Sequence, residues 1–120
     1  MSLRDTLTGI VESVEGGLAV IIMALDGIPI DEIVVNRAGL DLQQLTVEYS
    51  LILKDIKRAV EVLKVGEVEE VSITTCQLKV LMRVLNEELF AVLIMSRDGN
   101  FGKGRYLLRL KSVDLAQELC

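Results

Sequence analysis

Two uninterrupted apolar runs, residues 18–25 (LAVIIMAL) and 89–95 (LFAVLIM), constrain the fold of this chain more than any other feature. Both are rich in β-branched and aliphatic residues and lack polar alternation. Both also fall far short of the roughly 20 residues a membrane helix needs. A strand that is apolar on both sides must be covered on both sides. The two runs are therefore predicted to lie side by side inside a sheet with helices on its faces.

The remaining segments fit around that pair. Leu3, Leu7, Ile10, Val11 and Val14 recur at steps of three and four and predict a short amphipathic helix ended by Gly16-Gly17. Asp26-Gly27 is a hairpin-turn signal, and the segment after it begins beside Pro29 and carries Glu32, as an edge strand does. Residues 41–65 contain neither Gly nor Pro and predict a long helix closed by Gly66. Its length of about 37 Å exceeds the usual width of a sheet, so part of it should overhang. Residues 67–76 (EVEEVSITTC) mix β-branched residues with three glutamates, the pattern of a charged edge strand. Residues 78–85 place Lys79 and Arg83 on one face and Leu78, Val80, Met82 and Val84 on the other. Asn86-Glu87-Glu88 turns the chain into the second apolar run, and a glycine-rich loop, RDGNFGKG, precedes a last helix that includes residues 107–119.

The order α-β-β-α-β-β-β-α with two hairpins predicts an α+β sandwich, a five-stranded and mainly antiparallel sheet with helices on both faces. Residues 1–120 fit one domain. Profilin-like, Roadblock, longin, PAS and GAF domains share the outline, and a shared fold does not fix function.

Charge and composition remove several functions. Eighteen acidic against thirteen basic residues give a net charge of −5, which repels phosphate backbones, and four aromatic residues offer little for base stacking. Nucleic acid is not expected as a partner. Cys76 and Cys120 are the only cysteines and there is no histidine, so no zinc or Cys–His site can form and no cofactor is implied. Both are expected to be plain thiols. The N-terminal residues lack the pattern of a signal peptide, which points to a reducing cytoplasm. No membrane insertion is expected.

Enzyme-like motifs resolve into structural ones. Glu67, Glu69 and Glu70 sit on the expected edge strand and read as solvated protection, not as a catalytic cluster. The loop Gly99-Asn100-Phe101-Gly102-Lys103-Gly104 could aim backbone N–H groups at a phosphate, but it matches neither the Walker spacing nor GxGxxG, and a tight turn explains it. The chain is expected not to be an enzyme. In the long helix, Leu42, Leu45, Tyr49, Ile52, Leu53, Ile56, Ala59, Val60 and Leu63 fill one arc for the sheet to bury. Val47, Leu51 and Val62 form a second apolar face among Lys54, Asp55, Arg58 and Glu61. A second apolar face favours a partner.

Three segments carry a resemblance to the Roadblock/dynein light chain domain family, which covers nearly the whole chain. GGLAVIIMALDGIPI is similar to that family's opening hairpin, and GEVEEVSITTCQLKVLMRVLNEELFAVLIM to the three-strand meander after its long helix. GNFGKGRYLL resembles its Asn-apolar-Gly turn into the last helix. The resemblance, strongest to short bacterial MglB-like members, implies a cytoplasmic homodimer built across the third strand and the long helix. It also implies a Ras-like small GTPase as partner, with GTPase regulation and no catalytic site.

The candidate dimer or partner interface is therefore Val47, Leu51 and Val62 on the helix with Val68, Val71, Ser72 and Ile73 on the edge strand. A twofold near Ser72 and Ile73 would set Glu67 against Leu78, Glu69 against Cys76 and Glu70 against Thr75, so that no glutamate faces another. The alternative is a PAS- or GAF-like module that senses a small ligand in an internal pocket.

Overall fold

The computed structural model describes residues 2–119, and in it the two apolar runs form neighbouring central strands. The elements are α1 (Leu3–Ser13), β1 (Gly17–Ala24), β2 (Pro29–Val34), α2 (Leu42–Leu63), β3 (Glu70–Thr74), β4 (Leu78–Val84), β5 (Leu89–Ser96) and α3 (Phe101–Glu118). They follow the predicted order. The sheet reads β2-β1-β5-β4-β3, and every neighbouring pair is antiparallel. Ile21 pairs with Val92 at the centre of the β1–β5 ladder.

Strand alternation divides the core into two layers. Val20, Ile22, Leu81, Leu93 and Met95 meet Leu7, Ile10, Leu108 and Leu115 beneath α1 and α3. Ile21, Met23, Met82, Phe90 and Ile94 meet Leu42 and Leu53 beneath α2. Both free edges lie where the polar residues predicted them. β2 is guarded by Pro29 and a register shift at Ile22/Met23, while β3 is short.

Four boundaries or faces differ from expectation. The edge strand β3 covers Glu70–Thr74 and not 67–76, because the pairing with β4 ends on one backbone bond at each side, Val84 N to Glu69 O and Thr75 N to Leu78 O. The long helix ends on Lys64, which takes the left-handed conformation at φ 57° and donates its N–H to Val60 and Glu61, before Gly66 is reached. α3 starts at Phe101, so most of the expected glycine loop is its first turn. Asn100 caps it, accepting from Lys103 N at 3.1 Å, and a Cβ on Gly104 would stand 2.9 Å from Leu93. Gly104 lets the helix lie close on β5.

The fourth difference is the rotation of α2. Its buried side chains are Leu42, Thr46, Ser50 and Leu53, while Ile52, Ala59 and Leu63 of the predicted arc are exposed. Thr46 and Ser50 satisfy their hydroxyls within the helix, on Gln43 O and Val47 O at 2.8 Å each, so the polar groups cost little when buried. Being small, they let the helix approach the sheet. Nothing in α2 beyond Leu53 is buried, so its C-terminal half overhangs.

Tyr49 is half-buried beside this face, and desolvation of its phenolate raises its pKa above 10.0. A raised folded pKa means that the stabilisation is complete below pH 10.0 and declines as pH rises through the folded value. Alkaline titration of unfolding should therefore show stability falling above about pH 10, with the Tyr49→Phe protein losing less over the same window.

Candidate interaction surface

α2 and the residues leading into β3 line one side of the molecule. Asp41 opens α2 by accepting from Gln44 N at 3.1 Å, and the left-handed Lys64 turns the chain back toward the sheet. Val47, Leu51 and Val62 are 44%, 51% and 68% exposed on the helix, as expected. Ile52, Leu63 and Val65 extend the apolar surface beyond what the helical period predicts. The burial of Thr46 and Ser50 is what turns Ile52 and Leu63 outward, and the sequence signal is the small residue at each of those positions.

The four strand positions separate. Val71 and Ile73 stand opposite Met82 and Val80 on the α2 face and are half-buried. Ser72 stands opposite Leu81 on the other face and is exposed. Val68 precedes the strand. It lines a groove of about 860 Å³ beneath the overhang, together with Lys57, Val60 and Glu61 of α2 and Val84 of β4. The groove is mixed, with Val60, Val68, Val84 and Leu85 set among Lys57, Glu61, Glu67, Glu69, Arg83 and Glu87, and it lies next to the chain that enters the unpaired strand.

The pleat overturns the expected twofold. Directly opposed residues in antiparallel strands point to the same face, whereas Ser72 and Ile73 point to opposite faces. A symmetric pairing of two β3 edges must be centred on a residue, not between two. Val84 N donates to Glu69 O and Thr75 N to Leu78 O, so odd-numbered positions turn their backbone groups toward β4. Those of Glu70, Ser72 and Thr74 face outward and are open to a new strand.

Glu70 also corrects the picture of a solvated glutamate edge. Its carboxylate is largely buried and bonds Arg105 Nε of α3 at 2.7 Å, with Arg83 of β4 at 3.8 Å. Arg83 also lies 3.9 Å from the exposed Glu69, and its buried Nε has no hydrogen-bond partner. The edge strand is thereby tied to α3 across the face opposite α2.

Cys76 is an exposed free thiol, and Cys120 lies outside the described residues. Among the described residues no group of three potential metal ligands gathers. No helix among them is long and apolar enough to cross a membrane.

No protein-family model and no curated protein sequence matches this chain. Solved structures do. The chain is 41% identical to MglC from Myxococcus xanthus, over 98% of this chain and 99% of that one, with a TM-score of 0.71. A Roadblock/LC7 domain from Streptomyces avermitilis shares 12% identity over 99% and 98% of the two chains, at a TM-score of 0.84. The gliding protein MglB from Thermus thermophilus shares 14% identity over 97% and 87%, at a TM-score of 0.85.

Proposed function

The chain belongs to the Roadblock/LC7 family, and on that premise we propose a non-enzymatic, cytoplasmic homodimer that binds a Ras-like small GTPase and modulates its GTP hydrolysis or nucleotide state. The observation that carries this reading is that α2 exposes Val47, Leu51 and Val62 and overhangs a groove shared with the residues that enter the unpaired edge strand β3. The likeness to MglC and to a gliding protein supports a setting in cell motility.

The dimer places its twofold on Ser72. Val71 then opposes Ile73 of the second copy on the α2 face, and Glu70 opposes Thr74 of the second copy on the other face, with no like charges face to face. Outward-facing backbone groups of Glu70, Ser72 and Thr74 continue the sheet, while the two α2 helices cover each other. The chain has no histidine, and stimulation of hydrolysis acts by repositioning the GTPase's own residues. The ligand-sensor alternative asks for polar groups converging inside an apolar cavity. The buried hydroxyls of Thr46 and Ser50 instead bond carbonyls of their own helical turns, and that of Thr6 bonds Ser2 O and the exposed Glu118.

Affinity capture from the source cell, followed by binding to the recovered GTPase loaded with GDP or a non-hydrolysable GTP analogue, tests the proposal. Retention of one nucleotide form over the other is expected. A capture that repeatedly yields no GTPase sinks it.

A further inference from the structure

The outer face of α3 carries a second apolar surface, on the side of the sheet opposite α2. Tyr106, Leu110 and Val113 are 53% to 63% exposed, and steps of four and three put them within about 60° of arc. They form a stripe about two helical turns long. α3 needs no such stripe to pack, since Leu107, Leu108, Leu115 and Leu119 already face the core.

Two cations flank the stripe within a locally basic stretch of the chain. Residues 97–111 hold five basic side chains against the single Asp98, a local charge of +4 within a chain of −5. Arg105 is engaged by Glu70, and Arg97 donates to Cys76 O. Lys103 and Arg109 flank the stripe, both exposed and without an ion-pair partner among the described residues. Toward the C-terminal end the sign changes, at Asp114 and Glu118.

Beside Val113 the surface is concave. A cleft of about 270 Å³ lies between α3 and the end of β4, lined by Val84, Leu85, Ser112, Val113, Ala116 and Gln117. It has room for a single apolar side chain.

We propose that the outer face of α3 is a docking site for an acidic, amphipathic segment of another protein. An apolar anchor of the segment fills the cleft at Val113, and its carboxylates meet Lys103 and Arg109. The change of sign along α3 sets the direction, with the acidic end of the segment toward Lys103 and its neutral or basic end toward Asp114. A flat anionic bilayer fits less well, because three apolar side chains insert little area and the cleft would stay empty against it. A phosphate backbone fits less well too, since it has no use for Leu110 and Val113.

The test uses the full protein, isotopically labelled, titrated with a helical peptide of about 15 residues bearing leucines on one face and glutamates along both flanks. Two further peptides serve as comparison, one with the glutamates replaced by lysine and one of the same composition with the leucines scattered. Resonance shifts confined to residues 103–117 and to Val84 and Leu85 are expected, with the acidic amphipathic peptide alone. Leu110→Glu and Arg109→Glu, both at exposed positions, should each weaken it by about tenfold. Equal binding of the acidic and basic peptides, or shifts elsewhere on the molecule, overturns the proposal. So does a response to phosphatidylserine vesicles, to single-stranded oligonucleotide or to added unlabelled protein without one to the peptide, each of which would name a different occupant. Val84 and Leu85 also line the groove beneath α2, so the two readings are separated by the shifts at residues 103–117 and by the Leu110 and Arg109 variants, none of which lies on α2 or β3; failure there leaves the GTPase reading standing, and the reverse.

Discussion

Replacing Gly16 by alanine should lower the free energy of unfolding by about 3–5 kcal/mol, the largest effect expected from adding a single methyl group to this protein. Gly16 has φ +81°, where an L-residue is strained by about 1–2 kcal/mol. A Cβ there would stand 2.6 Å from both Gly99 Cα and Ser96 Oγ, so one turn must move against the other. The turn between α1 and β1 is locked to the turn before α3. Ser96 N donates to Gly16 O, and Asn100 N donates to Glu15 O, both at 2.8 Å. Separating the turns disturbs both bonds and the cap of α3. Thermal unfolding should shift down by about 10–20 °C. Gly39→Ala provides the comparison, since Gly39 also has a positive φ, +76°, but nothing within 4 Å of the added Cβ. It should cost only about 1–2 kcal/mol. Equal losses at the two positions would show that strain alone, and not the contact between turns, governs Gly16.

Leu51→Glu should raise the dissociation constant of the proposed dimer by about 100-fold or more while leaving the fold intact. Leu51 is half-exposed in the single chain, so the glutamate is solvated there and unfolding should change by less than about 0.5 kcal/mol. In a dimer with the α2 helices facing each other, the carboxylate enters an apolar contact that cannot solvate it. The burial of Val47, Leu51 and Val62, worth up to about 1.5–3 kcal/mol each, is lost in part as well. Sedimentation of the wild type and the variant reads the difference directly. A wild-type protein that stays monomeric at concentrations on the order of tens of micromolar defeats the dimer, and a variant dimer as tight as the wild type removes Leu51 from its interface.

The order of elements is legible in the sequence from local signals. Residues 18–25 and 89–95 are short, rich in β-branched and aliphatic residues and flanked by turn signals, which marks them as buried strands, and Leu3, Leu7 and Ile10 recur at helical steps. The edges are legible from Pro29 and from the glutamates before β3. The angle at which α2 meets the sheet is not. A hydrophobic arc ranks Ile52 and Leu63 above Thr46 and Ser50, and it is blind to hydroxyls that bond their own helix and to the closeness that small side chains permit. The role of Glu70 is hidden for a similar reason, because Arg105 lies 35 residues further along the chain and only the packing of α3 on β3 brings it to 2.7 Å.

The sequence by itself determined what repeats over short distances: which segments are helix or strand, which strands are central, and that one helix carries more apolar surface than a single chain buries. The tertiary structure decided what depends on the relative placement of distant segments. It turned Ile52 and Leu63 outward, paired Glu70 with α3, set Ser72 and Ile73 on opposite faces and left Tyr106, Leu110 and Val113 exposed beside unpaired cations. Periodicity reports how a segment distributes its apolar residues around its own axis. Which part of that distribution is covered depends on how closely the neighbouring elements approach, and that is set by side-chain size and pairing across the whole chain.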